Sequence, residues 1–351
     1  MKTADPDWQA DRLILHIGAP RTGTSAIQMT LQANRRALAA NGFLYPLSLD
    51  RVFIAAMASA WPPDIQQRRI GISGPTAINR LRRKTAAALQ REVNEVRPHT
   101  LILSAEQLFD RLDTWRVRRR LQRWLAPFAK RIEIIVYLRR QDQAIWSRHL
   151  NAVRLGRQEA WVTPDRASPL YDYERRLRPW LSRFGQEAVT VRPYRRDAFP
   201  QNSVQHDFME FAGIDPAWLR NPERQNNHSL DSVRAEFLRR ITDHVGHGDD
   251  PNNFRHDMNW VIDRVEGNWS PSRLPRREAE AILDLYASAN ERLTRVWGQG
   301  VAFFDAEPDA ADIEPDPLGI DDVMHIAAQL WNVKAGQVRH LRNQVERLKK
   351  P

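Results

Sequence analysis

The stretch that most limits what this chain can become runs Leu13-Ile-Leu-His16-Ile-Gly18-Ala-Pro20-Arg21-Thr22-Gly23-Thr24-Ser25, then Ala26-Ile-Gln28-Met-Thr-Leu31-Gln-Ala-Asn34. An apolar run of strand character gives way to a Gly/Pro loop, and a helical pattern opens at a Thr/Ser pair. The spacing predicts one helix from there to Asn41-Gly42, a natural stop. Strand, phosphate-sized loop and helix start together turn backbone N–H groups and a helix dipole onto an anion. A bare β-turn-α unit, whose glycines only shape a turn, is the plainer alternative.

Strand signals recur down the chain. Phe43-Leu-Tyr45-Pro46 reads as a short extended segment. Thr100-Leu-Ile-Leu103-Ser104, Arg131-Ile-Glu-Ile-Ile-Val136-Tyr137-Leu138 and Ala188-Val-Thr-Val191 read as buried strands. Helical patterns at 76–96, 114–129, 141–155 and 169–184 lie between them. Strands alternating with helices predict an α/β fold, a P-loop-like parallel sheet flanked by helices, with ligands at the strands' carboxyl ends. Gly18, Ser104, Arg139 and Tyr194 all fall at or just past those ends. Beyond residue 200 the pattern is helical (203–212, 229–245, 275–297). An acidic, proline-containing linker at 307–319 follows, and then a helical C-terminal extension at 320–351. This divides the chain into a domain at 1–306, the linker and the terminal helix. In that helix Val323, Ile326, Leu330 and Val333 keep a/d spacing, as do Val338, Leu341, Val345 and Leu348. The register slips by one residue between the runs, near Gly336, and the pattern predicts a homo-oligomer through residues 320–350.

Composition narrows the function classes. The 351 residues are 42% hydrophobic and 27% charged, which describes an ordinary globular chain able to bury a full core. No apolar window reaches the length of a membrane span, and Met1 to Asp7 lacks the apolar core of a signal peptide. The absence of cysteine excludes disulfides and thiol chemistry, so a cytoplasmic location is expected. The net charge of +10 suggests anionic partners, but only six of 53 basic residues are lysine, and such an arginine bias equally reflects genome composition. No nucleic-acid-binding motif is present, so nucleic acid is not an expected partner. His244, His247 and His256 give no recognisable third ligand, and no metal is expected.

The loop spacing Gly18-x4-Gly23-Thr24-Ser25 is that of a Walker A loop, with Thr24 in the place of the lysine that serves a triphosphate. This argues for an anion other than ATP or GTP, and Arg21 offers a replacement charge with fork geometry. The stretch His16 to Ser25 resembles the 5′-phosphosulfate loop of sulfotransferases that use 3′-phosphoadenosine 5′-phosphosulfate (PAPS). A second stretch, Tyr137-Leu-Arg139-Arg140-Gln-Asp-Gln-Ala-Ile-Trp146-Ser147, is similar to that family's 3′-phosphate motif, an Arg at a strand end and a Ser eight residues on. Looser likenesses lie at Val191 to Asp197, Asn226 to Leu230 and Ala289 to Asp305, so the resemblance spans roughly residues 11–306. The family's usual loop has Lys where this chain has Arg21, which binds more rigidly and cannot lend a proton. The Arg-Lys-Gly segment of cytosolic animal members has no counterpart, which places the chain nearer bacterial, carbohydrate-type relatives.

The resemblance implies PAPS as co-substrate, held by Arg21, Thr22, Gly23, Thr24, Ser25, Arg139, Ser147 and Tyr194, the last beside the adenine. It implies sulfuryl transfer to a hydroxyl of a glycan or glycolipid. Arg21 and the loop amides would relieve charge on the leaving oxygen, and Glu106, just past a strand end, is the expected base. Glu106 could instead neutralise an arginine or cap the helix after it, and His99 and His149 are rival bases. Two other functions remain open on the sequence: a non-catalytic P-loop-like adaptor that assembles through its terminal helix, and a nucleotide kinase, which the missing lysine disfavours.

Overall fold

The computed structural model describes residues 7–49, 74–112, 115–154, 168–220, 230–245, 262–263, 265–267, 269–298, 301–305, 307, 310–311 and 318–348. The Trp61-Pro62-Pro63 insertion, the Asn226 to Ser229 segment, His247, His256 and most of the 307–319 linker lie outside them. The chain divides into two compact units. The first comprises residues 1–141, 168–225 and 286–306, and the second residues 142–167, 226–285 and 307–351.

The first unit is α/β. Its five strands are β1 (Ala10–His16), β2 (Phe43–Leu44), β3 (Thr100–Ser104), β4 (Ala129–Leu138) and β5 (Val189–Pro193). They form one sheet in the order β2-β3-β1-β4-β5, and every pairing is parallel. A parallel sheet is covered on both faces, so its strands carry near-continuous apolar runs. Thr100 to Ser104 is buried throughout, as is Ile134 to Leu138. The helices of this unit are α1 (Thr24–Ala33), α2 (Arg35–Ala40), α3 (Pro75–Val96), α4 (Gln107–Arg111), α5 (Trp115–Leu125), α7 (Tyr173–Phe184) and α8 (Val204–Ala212). Between α5 and α7 in the chain, α6 (Gln141–Arg154) follows β4; only its first residue belongs to this unit.

On one face Ile14, Ile102, Ile135 and Tyr137 pack with Ile27 and Leu31 of α1 and with Phe208, Met209 and Ala212 of α8. Arg12 ties α8 down. Its guanidinium donates to the carbonyls of Phe211 and Ala212 at 3.1 Å each and pairs with Glu133 at 2.7 Å. Terminal helix carbonyls lack intrahelical partners, and a cation there also suits the helix dipole. Tyr137, deeper in the same face, donates to Asp207 at 2.5 Å, and Asp207 also receives Arg192 at 2.6 Å.

Where the sequence predicts a single helix, the structure has a break. The helix from Thr24 to Asn41 is two helices broken at Asn34 (φ −110°, ψ 15°). Asn34 is buried, its amide group donates back to the Thr30 carbonyl at 2.9 Å, and its Oδ1 accepts the Arg220 N–H at 2.8 Å. An Asn that satisfies backbone groups in this way competes with helix continuation.

In the second unit lie most of α6, α9 (Ser232–Val245), the first half of α10 (Arg276–Trp297) and α11 (Ile320–Leu348). The first turns of α11 are anchored on residues 265–269 of that unit. Gln329 accepts the Glu266 N–H at 2.8 Å and donates to its carbonyl at 2.7 Å, and Trp269 Nε1 donates to Asp322 at 3.1 Å. Among the described residues no helix is long and apolar enough to cross a membrane.

Candidate functional site

In the order β2-β3-β1-β4-β5 the chain leaves β1 toward one edge and β4 toward the other. Adjacent parallel strands whose connections diverge open a crevice at their carboxyl ends, and ligands of open α/β sheets bind there. The residues at that crevice are the β1–α1 loop and the segment that follows β4.

The loop is built for close approach of its backbone. Gly23 (φ +77°) is the N-cap of α1, with no side-chain cap bond and no acidic residue in the first turn. The start of α1 thus presents uncapped N–H groups and a positive dipole end. A Cβ at Gly23 would lie 2.7 Å from Val204 Cγ1 and 3.4 Å from the Tyr194 ring. Arg21 also stands in the left-handed region (φ +65°) with its side chain exposed. That conformation costs a non-glycine residue about 1–2 kcal/mol, and such strain concentrates at functional sites. The two threonines turn inward. Thr22 is buried and donates to the Ala19 carbonyl at 2.7 Å, while buried Thr24 fills the space left by the missing side chain of Gly18. What these two offer an anion is therefore backbone N–H. Ser25 is half-buried in the first turn of α1.

Arg139 emerges at the end of β4 and lies over the Tyr194 ring at 5.8 Å from its centroid. Tyr194 is fixed at the end of β5 by its N–H to the Leu138 carbonyl at 2.7 Å. The Arg139 backbone is held in turn by the Tyr173 hydroxyl, which donates to its carbonyl at 2.6 Å. Burial pushes the Arg139 guanidinium below its ordinary value, and the nearby charges of Arg196 and Arg21 push the same way. Three arginines thus share one neighbourhood with Gly23 and Tyr194, an arrangement that a multiply charged anion relieves. Of the residues singled out in the sequence, Arg21, Gly23, Arg139 and Tyr194 are brought together. Arg196 is an addition that no spacing pointed to.

Glu106 stands two residues past β3, the strand beside β1, as the N-cap of α4, and its side chain makes no capping bond. His99 lies at the other end of β3, where it contacts Thr100 at 2.8 Å and the Asn41 carbonyl at 3.2 Å. Strand rise puts it about 16 Å from the carboxyl ends. Ser147 sits half-buried in α6, within the second unit, where buried His149 stacks on Trp146 with centroids 5.0 Å apart.

Beneath the loop is a buried polar cluster that sequence reading missed. His16 Nδ1 meets Ser104 Oγ at 2.8 Å, and Gln28 Nε2 donates to the Ser104 hydroxyl and carbonyl at 3.1 Å each. His16 also packs on Phe208 and Tyr137, with centroids 5.5 and 5.9 Å away. Burial pushes its imidazole down to about 3, so it is neutral. The cluster ties α1, whose N-terminus is the cradle, to the strand end that carries Glu106. A histidine closing an apolar strand and Ser104 at the neighbouring strand end were the available signals. Among the described residues no group of three or more His, Asp or Glu side chains could hold a metal ion.

No family model matches the chain. An uncharacterised protein of Archaeoglobus fulgidus is 28% identical over 165 residues, which is 46% of this chain and 45% of that protein, so the chain spans less than half its length. Among solved structures, a sulfotransferase from Alicyclobacillus acidocaldarius overlays with a TM-score of 0.38 at 16% identity, covering 68% of this chain and 93% of that one. Similarity at that level leaves the chemistry to be read from this chain's own atoms.

Proposed function

We propose that this protein is a sulfotransferase, moving a sulfuryl group from PAPS to a hydroxyl of a glycan or glycolipid. The observation that carries the reading is the convergence of Arg21, Arg139 and Tyr194 around an uncapped, glycine-started helix at the β1/β4 crevice. Clustered arginine charge beside an aromatic ring suits a nucleotide that carries more than one phosphate-type group. The inward-turned Thr24, where a triphosphate loop carries lysine, fits a donor other than ATP.

When bound, the donor supplies an activated sulfuryl group on a phosphate leaving group. Arg21 and the N–H groups of residues 22–25 would neutralise the oxygen on which charge develops. Arg139, with Arg196 beside it, would hold the 3′-phosphate, and the Tyr194 ring would face the nucleoside. Glu106 would take the proton of the acceptor hydroxyl.

The test is thermal unfolding with adenosine 3′,5′-bisphosphate. The bisphosphate should raise Tm, ATP with Mg²⁺ should not, and Arg139→Ala should abolish the rise. No shift for the unmodified protein would remove the reading. Transfer of radiolabelled sulfate from PAPS to extracted polysaccharides and lipids tests the acceptor class, and label in neither fraction would refute it.

A further inference from the structure

Helix α11 carries two apolar stripes, and only one is used. Ile326 is fully buried, and Val323 and Leu330 beside it are half-buried, on the side where Asp322 and Gln329 bond to residues 266 and 269. A second stripe faces outward. Ile320, Met324, Trp331 and Val338 are all exposed, Trp331 at 74%. From Trp331 to Arg339 every described side chain except half-buried Ala335 is exposed. The helix therefore outruns its own support. An unsupported helix of this length is marginal in water, so the outer half wants a partner.

The spacing says what kind of partner. Met324, Trp331 and Val338 are seven residues apart and Ile320 lies four before Met324; the sequence continues the same register at Leu341, Val345 and Leu348. Positions 324, 331, 338 and 345 are apolar throughout, and the row between them runs Ile320, Ala327, Lys334, Leu341, Leu348; such a repeat over about four heptads, with one lysine at its centre, matches another helix with the same repeat. The one-residue slip near Gly336 falls where the sequence repeat leaves the register of Val323, Ile326 and Leu330 for that of Met324, Trp331 and Val338. Charge gives the orientation. The helix begins with Asp321 and Asp322, whereas Lys334, Arg339, Arg342 and Arg347 outnumber Glu346 in its second half. Side by side in parallel, two copies would set basic halves against each other; antiparallel, the acidic start of each meets the basic end of the other.

We infer that the outward stripe of α11 is the seam of an antiparallel homodimer, with its two-fold axis near Gly336. Heptad layers then pair position 327 with 345 and position 331 with 341 of the second copy. This does not depend on sulfuryl transfer.

Sedimentation equilibrium of the full chain up to ~100 µM tests it, because self-association depends on concentration. The unmodified protein should sediment at twice its 40.8 kDa chain mass. Trp331→Asp and Val338→Asp should each give monomers that still unfold cooperatively, at a Tm independent of concentration, and that lose far-ultraviolet helix signal. A monomeric parent overturns the inference, as do dimers that persist in both variants. Orientation is read by disulfide trapping, which is clean in a chain without cysteine. Ala327→Cys mixed with Val345→Cys should crosslink, and neither alone should. Crosslinking of Ala327→Cys with itself would mean a parallel pair and would overturn the orientation.

Discussion

His16 offers a measurement on the folded state that needs no substrate. Its imidazole is fully buried against Phe208 and Tyr137 and holds Ser104 Oγ, and burial pushes it from 6.5 to about 3. In the unfolded chain the same ring takes up a proton below about 6.5. Because the folded value is depressed, His16 favours the folded state fully above that pH, and the advantage is lost as pH falls toward 3. Over that window the unfolded state binds about one more proton, a slope of about 1.4 kcal/mol per pH unit. Between pH 6 and pH 4 this integrates to about 2–2.5 kcal/mol from one residue. Urea unfolding at several pH values in that range, on the parent and on His16→Asn, isolates it, because every other titrating group is common to both. Asparagine cannot titrate, and its amide can still donate to Ser104 Oγ. The variant should be less stable at pH 7 by about 1–3 kcal/mol, from imperfect replacement of a buried polar contact. The gap should then close or reverse by pH 4. Parallel stability curves would show that the folded imidazole titrates normally and would refute the argument.

Gly23→Ala should cost about 2–4 kcal/mol, from a left-handed alanine and a Cβ 2.7 Å from Val204 Cγ1, and should reduce the bisphosphate-induced rise in Tm. Urea unfolding that finds a loss under 0.5 kcal/mol would contradict the crowding on which that figure rests. Glu106→Gln should keep the bisphosphate shift while radiolabelled sulfate transfer falls by ~10²–10⁴-fold. Retained turnover would acquit Glu106.

Sequence reading reached the sheet because parallel strands announce themselves as unbroken apolar runs, and their ends then name the positions that can face a ligand. Arg139 and Tyr194 could be placed near the carboxyl ends for that reason, since each stands just past such a run. The break at Asn34 was not, since it is completed by the Arg220 N–H, 186 residues away. Nor was the left-handed Arg21, because a loop sequence does not disclose which non-glycine residue takes a positive φ. The inward turn of Thr22 and Thr24 was also hidden: hydroxyls in a phosphate-type loop read as ligands until their packing is known. In α11 the heptad slip was visible, but which stripe is covered needed the burial of Ile326 beside the exposure of Trp331.

Gly18 and Thr24 occupy, in effect, one volume: a Cβ on the glycine would fall 2.2 Å from the threonine hydroxyl oxygen. The two positions, six apart in sequence, are free to vary only as a couple. A lineage that enlarges residue 18 must shrink residue 24 in compensation, and until it does the first change is penalised. Descendants of this loop should therefore keep a constant summed bulk at these two sites, whatever anion they come to hold.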